Sequence, residues 1–209
     1  WHGLIQGLIE PLTDLSVSGT LPKGGTILGT TRTNPFKDPA SVQRCQSNFA
    51  KFGLDALVAI GGEDTLGVAR RFFELGLPVI GVPKTIDNDL AGTDQTFGFD
   101  TAINVVTEAI DRLHSTAESH HRIMVVEVMG RDSGWIATAA SIAGGADYCI
   151  VPEKPFDIEE VCASLKRRKE RGKDFSIVVV AEGSKPITGD VITQDASVDQ
   201  FGHVRLGGI

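Results

Sequence analysis

Two stretches decide the fold: L-D-A-L-V-A-I-G-G-E-D-T-L-G (Leu54–Gly67) and, after a helical interval, P-V-I-G-V-P-K-T-I-D-N-D-L (Pro78–Leu90). Each begins as an apolar run, and each run enters a loop dense in glycine, carboxylates or a lysine. A continuous apolar run of this length reads as a strand covered on both faces of a parallel sheet. Ligands of such sheets bind outside the carboxyl ends of the strands. Gly61, Gly62, Glu63, Asp64 and Thr65 are therefore expected to share a crevice with Lys84, Thr85, Asp87 and Asp89. Gly61 and Gly62 would let the backbone approach an anion, and a helix starting near Thr65 would aim free N–H groups at it. Glu63 is the candidate ligand for a divalent cation that neutralises phosphate oxygens. Lys84 is a second, mobile cation, and Asp87 is the candidate general base. The set points to phosphoryl transfer, where positioning and charge neutralisation supply most of the catalysis.

Composition narrows the alternatives. The 209 residues suffice for one α/β domain, or one domain and part of another. The net charge of −7 argues against nucleic acid, whose phosphate backbone requires a basic face. No apolar run approaches the ~18 residues of a membrane helix. Cys45, Cys149 and Cys162 are odd in number and lack metal-ligand spacing, as expected of a reduced cytoplasmic protein. The chain starts at Trp1 without Met and stops abruptly at Ile209, so both ends are expected to be truncated.

Along the chain, strand and helix patterns alternate, giving a doubly wound α/β architecture with a mostly parallel sheet. L-P-K-G-G-T-I-L-G-T-T-R (Leu21–Arg32) is either a phosphate cradle with Arg32 as its clamp, or a turn followed by a surface arginine. Residues 38–52 fit an amphipathic helix with Val42, Cys45, Phe49 and Phe52 on one face. Asp100 precedes a helix over 101–114, which puts His114 at a helix end, where a capping role is expected. R-I-M-V-V-E-V-M (Arg122–Met129) is a strand, and Gly130 and Arg131 follow at its carboxyl end. Asp157, with Glu160 three residues on, reads as a capping box. The basic residues that end the following helix read as a solvated helix terminus. The last strong strand, 175–181, runs into Glu182.

P-K-T-I-D-N-D, G-G-E-D-T, G-G-T-I-L-G-T-T-R and V-M-G-R together resemble the 6-phosphofructokinase family, over about Gly24 to Gly183. The resemblance implies a Mg²⁺-dependent kinase-type transfer to the 1-hydroxyl of fructose 6-phosphate. Asp87 would be the catalytic base, with Thr85 beside the acceptor and Asp89 in support. Met129, Gly130, Arg131 and Glu182 would bind the sugar phosphate, with Arg131 also contributing to catalysis. Arg122 would reach the sugar phosphate of a neighbouring subunit, implying a homodimer or homotetramer. Arg32, Gly62, Glu63, Asp64, Thr65 and Lys84 would hold the donor, with Glu63 as the metal ligand. Residues 1–145 would form the donor-binding domain, lacking its N-terminal strand, and 146–209 the start of the fructose 6-phosphate domain. G-H-V-R-L-G-G (202–208) looks like the family's late phosphate-gripping motif. It lies too close to Glu182, with its arginine displaced, and is set aside.

Within the family, Asp64 and Lys84 imply pyrophosphate as the donor. Members that use ATP typically carry glycine where Asp64 stands. Lys84 would neutralise the leaving phosphate; a salt bridge between the two residues is the plainer alternative. Two other classes compete. A sugar-phosphate sensor would need the binding arginine but not the base, the metal carboxylate and the lysine together. A dinucleotide-binding dehydrogenase would need G-x-G-x-x-G after a first strand, and the chain lacks it.

Overall fold

The computed structural model describes residues 1–207, without the side chains of Asp195, Ala196 and Arg205. Gly208 and the Arg205 side chain, part of the 202–208 run set aside above, lie outside the described residues. In chain order the elements are α1 (His2–Gln6), α2 (Asp14–Val17), a 3₁₀ turn (Pro35–Lys37), α3 (Pro39–Lys51), β1 (Leu57–Gly61), α4 (Glu63–Glu74) and β2 (Val79–Thr85). Next come β3 (Phe97–Gly98), α5 (Phe99–Ser119), β4 (Ile123–Val128), α6 (Trp135–Gly144) and β5 (Tyr148–Ile150). The last are α7 (Ile158–Glu170), β6 (Ser176–Ala181), β7 (Thr193–Val198) and β8 (Val204–Leu206). The architecture is α/β, with parallel sheets and helices alternating along the chain. Among the described residues, no helix is long and apolar enough to cross a membrane.

The chain forms two compact units. The first comprises Trp1–Val82 and Val198–His203. Its core gathers Leu4, Ile5, Cys45, Val68 and Phe72. Phe72 is fully buried, with the rings of Trp1 and Phe36 at centroid distances of 5.2 and 4.9 Å. Asp38 caps α3 by accepting from Ala40 N at 3.1 Å, and Pro39 occupies the first turn, where its missing N–H costs nothing. The expected 38–52 helix is thus present, and Cys45 is its core residue. β1 departs from expectation. Ala59 and Gly61 are buried, but Val58 and Ile60 face solvent. The elements this chain supplies cover one face of the strand only.

The second unit comprises Pro83–Ser197 and Val204–Ile209. Its sheet has the order β4-β6-β5, parallel throughout. All six residues of the central β6 are buried, because the strand is covered on both faces. Ile177, Val179 and Ala181 pack with Ile110 and Ile136 under α5 and α6. Val178 and Val180 point the other way and pack with Val161 of α7. This division of one strand between two helical layers is the doubly wound arrangement. α5 and α6 cross so closely that a Cβ on Gly144 would lie 2.9 Å from Ile110. α5 runs five residues past His114, so His114 does not end its own helix. Its Nε2 instead meets the carbonyl of Gly144 at 2.8 Å, at the C-terminus of α6. Asp157 caps α7 through Glu159 N at 2.9 Å, but the expected box with Glu160 does not form, because the Asp157 carboxylate is taken by the N–H one residue earlier. In the basic helix end, Arg168 is structural, paired with Asp147 at 2.9 Å. The sequence-based division at 145/146 follows ligand roles and falls within this second unit.

Candidate active site

In the first unit, α4 starts at Glu63, two residues earlier than the pattern suggested, with Gly62 as its N-cap. Glu63 and Asp64 thus occupy the first turn, where carboxylates favour the positive end of the helix dipole. Gly62 offers no side chain to cap the first N–H groups. The reason for Gly61 differs from expectation: a Cβ there would lie 2.5 Å from the Cβ of Thr65. Its bareness seats Thr65 against the end of β1 rather than opening space for an anion.

Asp64 is half-buried, and His203 Nε2 lies 3.3 Å from each of its carboxylate oxygens. An ionised carboxylate only accepts, so the imidazole N–H donates. Arg32 is exposed and its Nη1 donates to Asp199 Oδ2 at 2.5 Å. Burial pushes the Asp199 carboxyl up, but the N–H groups of His203 and Phe201 and the Arg32 guanidinium outweigh it and hold the group down at about 2. Leu21–Arg32 forms no helix or strand. Within it, Leu28, Gly29, Thr30 and Thr31 line an open cavity of about 250 Å³ together with Thr65 and β1.

In the second unit, the expected acceptor-side residues converge. Asp87 N donates to Thr85 Oγ1 at 3.2 Å, and Thr85 Oγ1 donates to Asp87 Oδ2 at 3.1 Å. Burial raises the Asp87 carboxyl above its ordinary range; the Thr85 hydroxyl opposes this, Asp89 adds repulsion, and Arg131 attracts. A raised carboxylate is a stronger base near neutral pH. Asp89 is exposed, so its charge rather than a hydrogen bond is what reaches Asp87. Lys84 is exposed on β2, its backbone in register with Phe97. Met129 is exposed and Gly130 buried at the carboxyl end of β4. Arg131 is half-buried and its Nη1 donates to the carbonyl of Val204 at 2.8 Å. Gly130 N points at Glu182 Oε1 at 3.5 Å. Arg122 stands before the first residue of β4, at the end of the strand opposite Gly130 and Arg131.

Four further residues hold these groups and went unread in the sequence. Ser133 Oγ donates to the carbonyl of Asp87 at 2.9 Å. Asn88 adopts a left-handed conformation (φ 53°), and its Oδ1 accepts from Thr96 N at 2.9 Å. Thr96 Oγ1 donates to the carbonyl of Thr85 at 2.8 Å. Gly183 is the fourth, since a Cβ there would lie 1.7 Å from the Arg131 carbonyl oxygen. Asparagine inside T-I-D-N-D was the one available signal, because Asn tolerates the left-handed region.

Magnesium ordinarily binds through one or two carboxylates plus substrate phosphates and waters, rather than in an all-protein cage. Among the described residues no three His, Cys, Asp or Glu side chains gather for a metal ion. The exposed Glu63 carboxylate at the start of α4 fits the first, sparser mode.

Comparison with known proteins identifies the family. A pyrophosphate–fructose 6-phosphate 1-phosphotransferase of Streptomyces coelicolor is 55% identical over 210 residues, covering 100% of this chain and 61% of its own length. An ATP-dependent 6-phosphofructokinase of Corynebacterium efficiens is 51% identical with the same coverage, 100% and 61%. The chain thus spans 61% of the length of these relatives. A crystal structure of Pichia pastoris phosphofructokinase in the T-state superposes with a TM-score of 0.80 at 34% identity, covering 90% of this chain and 23% of that one. The sequence pattern described as Phosphofructokinase matches residues 1–209, and the chain belongs to the phosphofructokinase family.

Proposed function

We propose that the protein carrying this chain transfers a phosphoryl group from pyrophosphate to the 1-hydroxyl of fructose 6-phosphate, giving fructose 1,6-bisphosphate. Asp64 carries this reading. Its half-buried carboxylate is paired to His203, and on the family resemblance it stands where ATP-using members typically have glycine. A carboxylate there puts bulk and negative charge where the α-phosphate of ATP would lie, so it discriminates by clash and repulsion. The Streptomyces coelicolor relative, whose name states pyrophosphate as its substrate, supports the same donor.

Asp87 takes the proton from the sugar 1-hydroxyl, helped by the upward push that burial gives its carboxyl. Thr85 holds the Asp87 carboxylate in one orientation. Arg131, Gly130, Met129 and Glu182 bind the sugar phosphate, and Asp89 keeps Asp87 basic by repulsion. Arg32, Gly62, Thr65 and Lys84 bind the donor, Lys84 facing the charge of the leaving phosphate. Glu63 would hold Mg²⁺. When bound, that ion neutralises donor phosphate oxygens. Residues 1–145 carry the donor-binding groups together with Asp87 and Arg131 of the sugar side, and 146–209 contribute Glu182 to the sugar phosphate. The protein works in the cytoplasm as a homodimer or homotetramer. Because a pyrophosphate bond transfers with little net driving force, the reaction runs in both directions, in glycolysis and gluconeogenesis.

The 51% identity to the Corynebacterium efficiens protein favours a second reading, with ATP as donor. The test is turnover of the full-length protein with fructose 6-phosphate and Mg²⁺ and either donor. Pyrophosphate should support turnover and ATP barely any. Efficient turnover with ATP alone overturns the proposal.

A further inference from the structure

The turn between β7 and β8 touches two donor-side residues at once. Asp199 Oδ2 accepts from Arg32 Nη1 at 2.5 Å. The same carboxylate closes its own turn, with Oδ1 accepting from Phe201 N at 2.8 Å and from His203 N at 3.1 Å. Gln200 Oε1 accepts from Asn34 N at 2.8 Å, which ties down the backbone just beyond Arg32. Phe201 packs on the cluster around Phe72 and anchors the turn to the core of the first unit. His203 then reaches Asp64 at 3.3 Å. One short turn therefore fixes a cation and a carboxylate that are 32 residues apart in sequence.

The manner of fixing leaves both groups able to work. A guanidinium has five N–H donors in a rigid fork, and Asp199 takes one of them. The Arg32 side chain remains 65% exposed while Asp199 is 19% exposed, so the carboxylate forms a rigid backing and the arginine keeps an open face. An arginine held this way loses less side-chain entropy on meeting an anion. On the other side, the imidazole N–H fixes the direction of the Asp64 carboxylate. A carboxylate free to swing away would exclude a longer donor less well.

We infer that the Asp199–His203 turn is a donor-selectivity brace, in which Asp199 and His203 are positioning residues that orient Arg32 toward a polyphosphate donor and hold Asp64 in its excluding position. This deepens the pyrophosphate reading and rests on it for the identity of the donor.

The test uses the full-length protein and Asp199→Asn, His203→Leu, His203→Gln and Asp64→Gly, alone and with His203→Leu. Asp199→Asn retains an oxygen that accepts from Phe201 N and His203 N but removes the charge behind Arg32. His203→Gln retains an N–H donor. The readouts are kcat and KM for pyrophosphate, KM for fructose 6-phosphate, turnover with ATP, and melting temperature. Asp199→Asn and His203→Leu should each raise the pyrophosphate KM by about tenfold, the size of one lost charge-assisted contact, and leave the sugar KM within about twofold. His203→Leu should also raise turnover with ATP, His203→Gln should restore most of the loss, and His203→Leu should add nothing to Asp64→Gly. If His203→Leu does not fold, His203→Asn, polar but too short to reach Asp64, takes its place. An unchanged pyrophosphate KM, a His203→Gln as damaging as His203→Leu, or full additivity with Asp64→Gly overturns the brace. If the wild type prefers ATP, the donor reading fails separately, and the brace is judged by the same variants on the KM for ATP.

Discussion

The hydroxyl of Ser133 donates to the carbonyl oxygen of Asp87 at 2.9 Å, so the loop that carries Arg131 also holds the loop that carries the candidate base. The carboxylate is fixed from the other side by the hydroxyl of Thr85. Two independent strand-end loops of the second unit are thereby set in one geometry before any ligand arrives, which is what a positioned base requires.

Asp87→Ser removes the proton acceptor and leaves the surrounding binding groups. The full-length variant should lose about 10²–10⁴ in kcat, the usual contribution of a general base, with little change in the sugar KM. Burial holds the Asp87 carboxyl above the ordinary range, and only its ionised form accepts a proton. The acid limb of kcat/KM for the wild type should therefore lie above the ordinary carboxylate value of about 4, activity falling as pH drops through it. The residual activity of Asp87→Ser should lack that limb. A variant with near-normal kcat removes Asp87 from the role.

Gly183 is set by contact rather than by backbone conformation. A Cβ at this position would come within 1.7 Å of the Arg131 carbonyl oxygen and 2.5 Å of its carbonyl carbon. Backbone cannot yield as a side-chain tip can. Gly183→Ala should cost about 3 kcal/mol or more in denaturant unfolding, at the upper end for overpacking. It should also raise the fructose 6-phosphate KM in whatever folded fraction remains, because the displaced residue carries the guanidinium. Unchanged stability and unchanged KM would mean that the two loops are farther apart than the structure gives.

The loop after β1 was legible because it follows an apolar run closed by glycine, at Ile60–Gly61–Gly62, but Pro83 did not close the second run: β2 continues through Lys84 to Thr85, so the loop begins only at Ile86. The cap at Asp157 was legible because a cap is local chemistry. Other features depend on distance. His203 meets Asp64 across 139 residues, and no periodicity encodes that. Gly183 drew no reading in the sequence, because its need for bareness comes from Arg131, 52 positions earlier. Gly61 looked like an anion-approach glycine, yet its space is filled by Thr65, one helical turn on. The exposure of Val58 and Ile60 was hidden for a different reason: an apolar run reports that both faces suit burial, not which elements of this chain cover them.

Arg122 should act across a subunit boundary. It precedes β4, whereas Gly130 and Arg131 follow it, and a strand of six residues spans roughly 20 Å. An extended arginine side chain covers only about a third of that span, so Arg122 cannot serve the sugar-phosphate end of its own strand. Its side chain is exposed, and its backbone is fixed by two bonds, N–H to the carbonyl of Ala117 at 3.0 Å and carbonyl from Ser176 N at 3.1 Å. A guanidinium held at its root and open at its tip suits a ligand supplied by another subunit. In the full-length protein, Arg122→Ala should raise the fructose 6-phosphate KM by ten- to a hundredfold, about the 1.5–3 kcal/mol of a charged hydrogen bond, with the donor KM little changed. Mixing Arg122→Ala with Asp87→Ser under exchange conditions should rebuild some sites that hold one intact Asp87 and one intact Arg122 from different chains. In a mixed dimer one of the two sites is whole and the other doubly defective. Activity well above the sum of the parents is the expected result. Mixed oligomers that form, by mass or tag capture, yet show no gain over the parents would place Arg122 outside any shared site.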